Sequence, residues 1–90
     1  MSIKIDIPSY MKSSTDNRGV VELNGSTVGE CLNHLVKQFP RMKKQLFSKD
    51  GNLFENIIIS INGESAYPEQ LAKPVKDGDE IKIVLVVGGG

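Results

Sequence analysis

Three consecutive glycines, Gly88-Gly89-Gly90, close the sequence directly behind the run Ile81-Lys82-Ile83-Val84-Leu85-Val86-Val87. The chemistry on offer is that of a free carboxylate held out on a segment without side chains. Lacking Cβ atoms, successive glycines can be drawn extended through a slot too narrow for any other residue, and they leave the terminal carbonyl open to a nucleophile or a phosphate. Extended, they reach on the order of 10 Å beyond the last strand residue. The plain alternative is a frayed end. Such ends usually follow a polar stretch, whereas these glycines begin where an apolar strand leaves its sheet, with no Ser or Pro spacer.

The other chemistry-bearing side chains are few. Cys31 is the single cysteine and falls on an apolar helix face, so it reads as a buried, inert thiol. It excludes an intrachain disulfide framework and fits a reducing compartment, the cytoplasm. His34 is the single histidine and has no second metal-type ligand at helical spacing except Cys31, so no metal site is expected. One Cys and one His assemble no nucleophile-base-orienter set, and no side chain is given a catalytic role. Lys37, Arg41, Lys43 and Lys44 cluster around Pro40. Such a cluster is ordinarily a solvated face; its functional alternative is docking to an acidic partner.

The elements that must position the tail follow from pattern. Ninety residues make one domain with room for one sheet and one or two helices. Eleven acidic residues balance eleven basic ones, which removes the electrostatic case for nucleic acid or an anionic membrane as the main partner. No apolar run approaches a bilayer span, so a soluble intracellular protein is expected. Ile3, Ile5 and Ile7 alternate with polar residues as an opening strand, a polar connection runs from Ser13 to Gly19, and Val20-Val21-Glu22-Leu23 returns as its hairpin partner.

Ser26 or Thr27 caps the helix that follows, with Glu30 at capping-box spacing from Thr27. Val28, Cys31, Leu32, Leu35, Val36 and Phe39 form its apolar face, and Pro40 stops it. Arg41 to Phe47 reads as a brief second helix, broken by Lys49-Asp50-Gly51-Asn52. Ile57 to Ile61 is a strand closed by the Asn62-Gly63 turn, with Ala66-Tyr67 as a short partner strand. Leu71 to Val75 reads as anchored coil, and Asp77-Gly78-Asp79 as a tight turn into the last strand. This order suits an α+β fold in which a mixed sheet of four to five strands packs on one main helix, its first and last strands side by side at the centre.

On the last strand Ile81, Ile83, Leu85 and Val87 share one face, and Lys82, Val84 and Val86 the other. With the first set on the helix, Val84 and Val86, joined by Ile58, form an apolar partner-binding patch on the open face of the sheet.

The hairpin, the capped helix, the strand end Ile61-Asn62-Gly63, the segment Asp77-Gly78-Asp79-Glu80-Ile81 and the glycine pair Gly89-Gly90 together resemble the ubiquitin-like β-grasp sulfur carriers of the ThiS/MoaD family. The resemblance covers nearly the whole chain. Ile7-Pro8-Ser9-Tyr10-Met11, Ser26-Thr27-Val28-Gly29 and Asn56 to Asn62 look most like its CysO-type members. It implies a β-grasp domain over residues 1–87 and a flexible glycine tail over 88–90. It further implies that an E1-like enzyme adenylates the carboxylate of Gly90 and that a sulfur donor opens the anhydride to a thiocarboxylate.

By that resemblance Gly90 carries the sulfur, Gly88 and Gly89 form the tail, and a sulfur-accepting biosynthetic enzyme is the later partner. The product served is cysteine, thiamin, molybdopterin or a related metabolite. The chain is then a substrate with no cofactor of its own, not an enzyme. Gly88 stands where many members have alanine or serine, and Leu85 where several have proline, which lets the last strand pair further toward the terminus. Two other readings stay open: a ubiquitin-like modifier conjugated through Gly90, and an inert β-grasp interaction module.

Overall fold

Alternating isoleucines build the first hairpin. In the computed structural model, which describes residues 2–86, β1 (Ile3–Asp6) pairs antiparallel with β2 (Val20–Leu23), setting Ile5 opposite Val21. Ile3, Ile5 and Val21 are buried. Val87 and the tail 88–90 lie outside the described residues, as does Met1.

The connection between these strands departs from the expected polar loop. Ser9–Thr15 winds into a 3-10 helix because two of its residues are drawn inward: Met11 joins the core and Thr15 is fully buried. The Thr15 hydroxyl lies 3.1 Å from the Lys12 carbonyl and 2.9 Å from that of Arg18, so burial leaves it satisfied. A Ser/Thr-rich composition conceals this, since the driving contacts are non-local.

Thr27 caps α1 (Val28–Gln38), its Oγ1 accepting the Glu30 N–H at 3.1 Å. The Glu30 carboxylate reaches back to the Ser26 N–H at 2.8 Å, one residue before the cap. The Val28 N–H donates to the Lys73 carbonyl at 2.9 Å, so the helix start is tied to the segment that precedes the last strand. Val28, Cys31, Leu32 and Leu35 bury one face, the valine and the two leucines contributing about 1.5–3 kcal/mol each. Pro40 then separates α1 from α2 (Arg41–Leu46), which seats Met42 and Leu46 in the same core.

β3 (Ile57–Ile61) turns at Asn62-Gly63, both with positive φ (52° and 87°), into β4 (Glu64–Ser65). This two-residue turn sets Ile61 opposite Glu64, which places β4 two residues earlier than the expected partner strand at Ala66-Tyr67. Ala66 still donates its N–H to Ile59 at 2.8 Å and buries its methyl, but Tyr67 leaves the sheet and is 75% exposed. A 3-10 turn, Gln70–Ala72, interrupts the expected coil, and Val75 anchors its end in the core.

The last strand, β5 (Glu80–Leu85), enters the middle of the sheet, giving the order β2-β1-β5-β3-β4. It runs parallel to β1 (Ile5 level with Ile81) and antiparallel to β3 (Ile59 opposite Ile83). The turn that delivers it is clamped. Asp79 Oδ1 accepts from Asn62 Nδ2 at 2.9 Å, Asp79 Oδ2 accepts the Lys76 N–H at 2.9 Å, and Asn62 Oδ1 accepts the Glu80 N–H at 2.9 Å. These donors hold the Asp79 carboxyl below its ordinary range, the Lys76 N–H contributing most and the Asn62 amide next.

Two outcomes follow from the clamp. Asn62→Ala removes two hydrogen bonds, one to a carboxylate, and lowers stability by about 1–2 kcal/mol in urea denaturation. Because the folded pKa of Asp79 is depressed, its contribution is complete above the ordinary carboxylate pKa of about 4 and is lost as pH falls through the folded value. Asp79→Asn therefore flattens the acid limb of the stability profile, checked by denaturation midpoints between about pH 6 and about pH 3.

Candidate functional site

The chain leaves the sheet from its interior. The Val86 N–H donates to the Asn56 carbonyl at 2.7 Å, carrying the β3–β5 ladder one residue past the end of β5. Leu85, where the family resemblance brings proline to mind, pairs with Ile57. Pairing thus runs through Val86, and Gly88, Gly89 and Gly90 lie beyond the described residues.

The three residues expected to form a patch come together here. Ile58 sits directly opposite Val84, and Val86 follows on the same face of β5. Side chains directly opposite in an antiparallel pair stand about 4.5–5.5 Å apart at Cβ, so Ile58 and Val84 touch across the strands. Their exposures are 37% and 39%, and that of Val86 is 48%, while Ile81 and Ile83 on the other face are buried. Period-two alternation is the cause: one face of β5 packs on α1 and the other is left to solvent.

Away from the exit the open face becomes charged. Lys4 stands between Glu22 and Glu80, and Lys82 between Asp6 and Ser60. The Glu80 carboxyl is held above its ordinary range by Asp6, first through a hydrogen bond and then through charge repulsion, with Lys82 and Lys4 pulling the other way. The open face thus carries an apolar strip at the exit and a mixed-charge field behind it.

Cys31 is fully buried, and burial pushes its thiol pKa up, with the Glu30 charge adding to the effect. A raised pKa withholds the thiolate, the reactive form. His34 Nδ1 lies 2.6 Å from the Asn24 carbonyl, where it braces the loop ahead of α1. Among the described residues no group of three or more His, Cys, Asp or Glu side chains could hold a metal ion, and no helix is long and apolar enough to cross a membrane. Lys37, Arg41, Lys43 and Lys44 are all exposed.

Sequence reasoning passed over Phe54. It is 39% exposed and stands three residues before the start of β3, close to the exit. The signal was present as an aromatic inside a polar stretch, Asn52 to Asn56.

A family model described as the ThiS family matches residues 9–90. The chain is 35% identical over 71 residues to small archaeal modifier protein 1 of Haloferax volcanii, covering 78% of each. It is 27% identical over 93 residues to the sulfur carrier protein CysO of Mycobacterium tuberculosis, covering 100% of both. Among solved structures, a chain of the BexX/CysO complex of Amycolatopsis orientalis superposes with a TM-score of 0.87 at 28% identity, covering 98% of this chain and 99% of that one.

The geometry of Cys31 has a direct readout. In the native protein it stays unmodified by an aromatic disulfide reagent at mildly alkaline pH, and it reacts stoichiometrically once the chain is denatured; rapid native labelling would contradict its place on the buried face of α1.

Proposed function

We propose that this chain, which belongs to the ThiS family and has the ubiquitin-like β-grasp fold, is a protein substrate charged at the carboxylate of Gly90. It is a sulfur carrier or small ubiquitin-like modifier, not a catalyst. The observation that carries the finer reading is the central position of β5, which brings the chain out of the sheet interior beside Ile58, Val84 and Val86. The β-grasp domain over residues 1–87 is then the part that enzymes grip, and the tail 88–90 the part they work on.

A carboxylate resists attack because its charge is shared by two oxygens and it lacks a good leaving group. In the first step a Gly90 carboxylate oxygen attacks the α-phosphorus of ATP on an E1-like enzyme, and pyrophosphate departs with the electrons of the broken P–O bond. In the second, sulfide-level sulfur from a donor attacks the carbonyl carbon, AMP leaves with the C–O bonding pair, and loss of the thiol proton gives a thiocarboxylate. That group is a stronger nucleophile than the carboxylate it replaced. It hands sulfur to a biosynthetic enzyme in the cytoplasm without release of free sulfide.

The glycines suit this sequence of events because a side chain at 88–90 would crowd the tetrahedral intermediate and widen the slot the tail must thread. The patch at Ile58, Val84 and Val86 supplies apolar area for docking next to the reacting end. A second reading, conjugation to a target lysine, is favoured by the similarity to small archaeal modifier protein 1. It shares the adenylate and differs only in the nucleophile, an amine in place of sulfide.

Incubation with the E1-like enzyme, ATP and a sulfur donor is expected to give a single oxygen-to-sulfur exchange in the intact mass, abolished by removal of residues 88–90. A carrier that stays unchanged with a competent enzyme is an inert module, and an amide-linked adduct to lysine supports the modifier. Val84→Asp is expected to weaken enzyme binding about tenfold or more, the loss typical of a central apolar anchor, with an unchanged far-ultraviolet circular dichroism spectrum.

A further inference from the structure

A groove of about 510 Å³ opens between the end of α2 and the loop behind it, lined by Lys44, Phe47, Ser48, Lys49 and Phe54. The loop frame is held by backbone hydrogen bonds: Phe47 bridges Leu53, the Ser48 N–H donates to Asn52 at 2.8 Å, and the Phe54 N–H donates to Leu46 at 3.1 Å. Gly51, at φ 84°, turns the loop where a side chain would be strained. Phe47 packs on the core from its inner edge, and Phe54 stands half out of it.

The charge around the groove is one-sided. Among the described residues no carboxylate lines it. Among the described residues the single ion pair joins Lys73 to Glu69, and neither Lys44 nor Lys49 forms one with a described carboxylate. Residues 41–55 carry Arg41, Lys43, Lys44 and Lys49 against Asp50 and Glu55. An apolar slot between two ammonium groups complements a large apolar side chain that sits among carboxylates. A second copy of this chain is a poor occupant, because a two-fold contact through the slot would set the same lysines against each other.

Its place in the fold gives the groove a purpose. The Phe54 carbonyl accepts the Ile57 N–H at 3.0 Å, and the next tie along that segment is the Asn56 carbonyl on the Val86 N–H at 2.7 Å. One tight turn therefore links the groove wall to the point where the chain leaves the sheet. A partner that works on the tail has reason to hold the body here, because a grip beside the exit fixes the tail in two directions when combined with the sheet face.

We propose that this groove is a second docking surface for the tail-activating enzyme, filled by an acidic segment with an apolar side chain at its centre. The inference rests on the function proposed above. Lys44 and Lys49 steer and orient that segment, and Phe54 supplies its apolar contact.

The test is carrier-dependent ATP–pyrophosphate exchange by the E1-like enzyme of the same organism. The double variant K44E/K49E and, separately, Phe54→Ala each raise the KM for the carrier about tenfold or more and leave kcat within about twofold, since uniform binding is lost. K44R/K49R restores the wild-type KM. Raising salt from about 0.05 M to about 0.5 M raises the wild-type KM and lowers that of K44E/K49E, because salt screens the lysine attraction in the one and the repulsion between carboxylates in the other.

Both variants change exposed atoms, and an unchanged thermal transition of K44E/K49E separates docking from folding. A KM within about twofold of wild type for both variants overturns the assignment, by the scale expected of a real anchor. So does a dimer that Phe54→Ala dissociates without a change in KM. If the wild-type chain supports no exchange with a competent enzyme, the function proposed above fails; if it does and the variants match it, only the groove assignment fails.

Discussion

The rest of the structure depends on one pairing: β1 and β5, at opposite ends of the sequence, lie parallel at the centre of the sheet. Bringing Lys4 level with Glu80 closes almost the whole chain into a loop, at an entropic cost of about 4 kcal/mol plus a constant. Ile3, Ile5, Ile81 and Ile83 offset it, since each side chain buried contributes about 1.5–3 kcal/mol. Register is fixed at the entry to β5, where the Ser2 N–H donates to Asp77 Oδ1 at 2.7 Å, the Gly78 N–H to the Ser2 carbonyl at 2.9 Å and the Lys4 N–H to the Asp79 carbonyl at 3.0 Å. Asn62 grips the same turn from the β3 side. The turn is thus bound to both neighbours of β5 before the strand begins.

From that pairing the functional arrangement follows. A strand flanked on both sides has no free edge, so it is a rigid base for whatever leaves it. Because β5 alternates, its helix-facing residues are spent on the core and its outward residues, Val84 and Val86, meet Ile58 in the open. The groove at Phe47 and Phe54 owes its location to the same geometry, since β3 begins where β5 ends and the loop before β3 must pass the exit. Two apolar surfaces of different surroundings, one backed by mixed charge and one flanked by lysines, stand near a single exit. Under the function proposed above, in which successive enzymes recognise the same substrate, that difference lets each read its own surface.

Much of this was legible in the residues. Isoleucine alternation gave β1, the Thr27–Glu30 spacing gave the start of α1, and the faces of β5 were readable two residues at a time. What escaped reading depends on contacts distant in sequence. The 3-10 helix at Ser9–Thr15 exists because Met11 and Thr15 find the core, and β4 is set by the φ values at Asn62 and Gly63 rather than by the apolar pair Ala66-Tyr67. Asn62 and Asp79 each read as ordinary turn residues; only their meeting across the sheet makes them a clamp. Nothing local to Phe54 says that Phe47 will lie beside it. Of the tail, the residue types at 88–90 speak for themselves, and their setting was inferred from the strand they follow.

The central claim is that the chemistry belongs to the Gly90 carboxylate and that the folded body only presents it. Tandem mass spectrometry of the protein after treatment with its activating enzyme, ATP and a sulfur donor tests this most directly, because it locates the sulfur along the chain. The account predicts one oxygen-to-sulfur exchange confined to the C-terminal fragment that contains Gly90, with the fragment that contains Cys31 unchanged. Sulfur gained at Cys31 as a persulfide, with an unaltered C-terminal fragment, would contradict it.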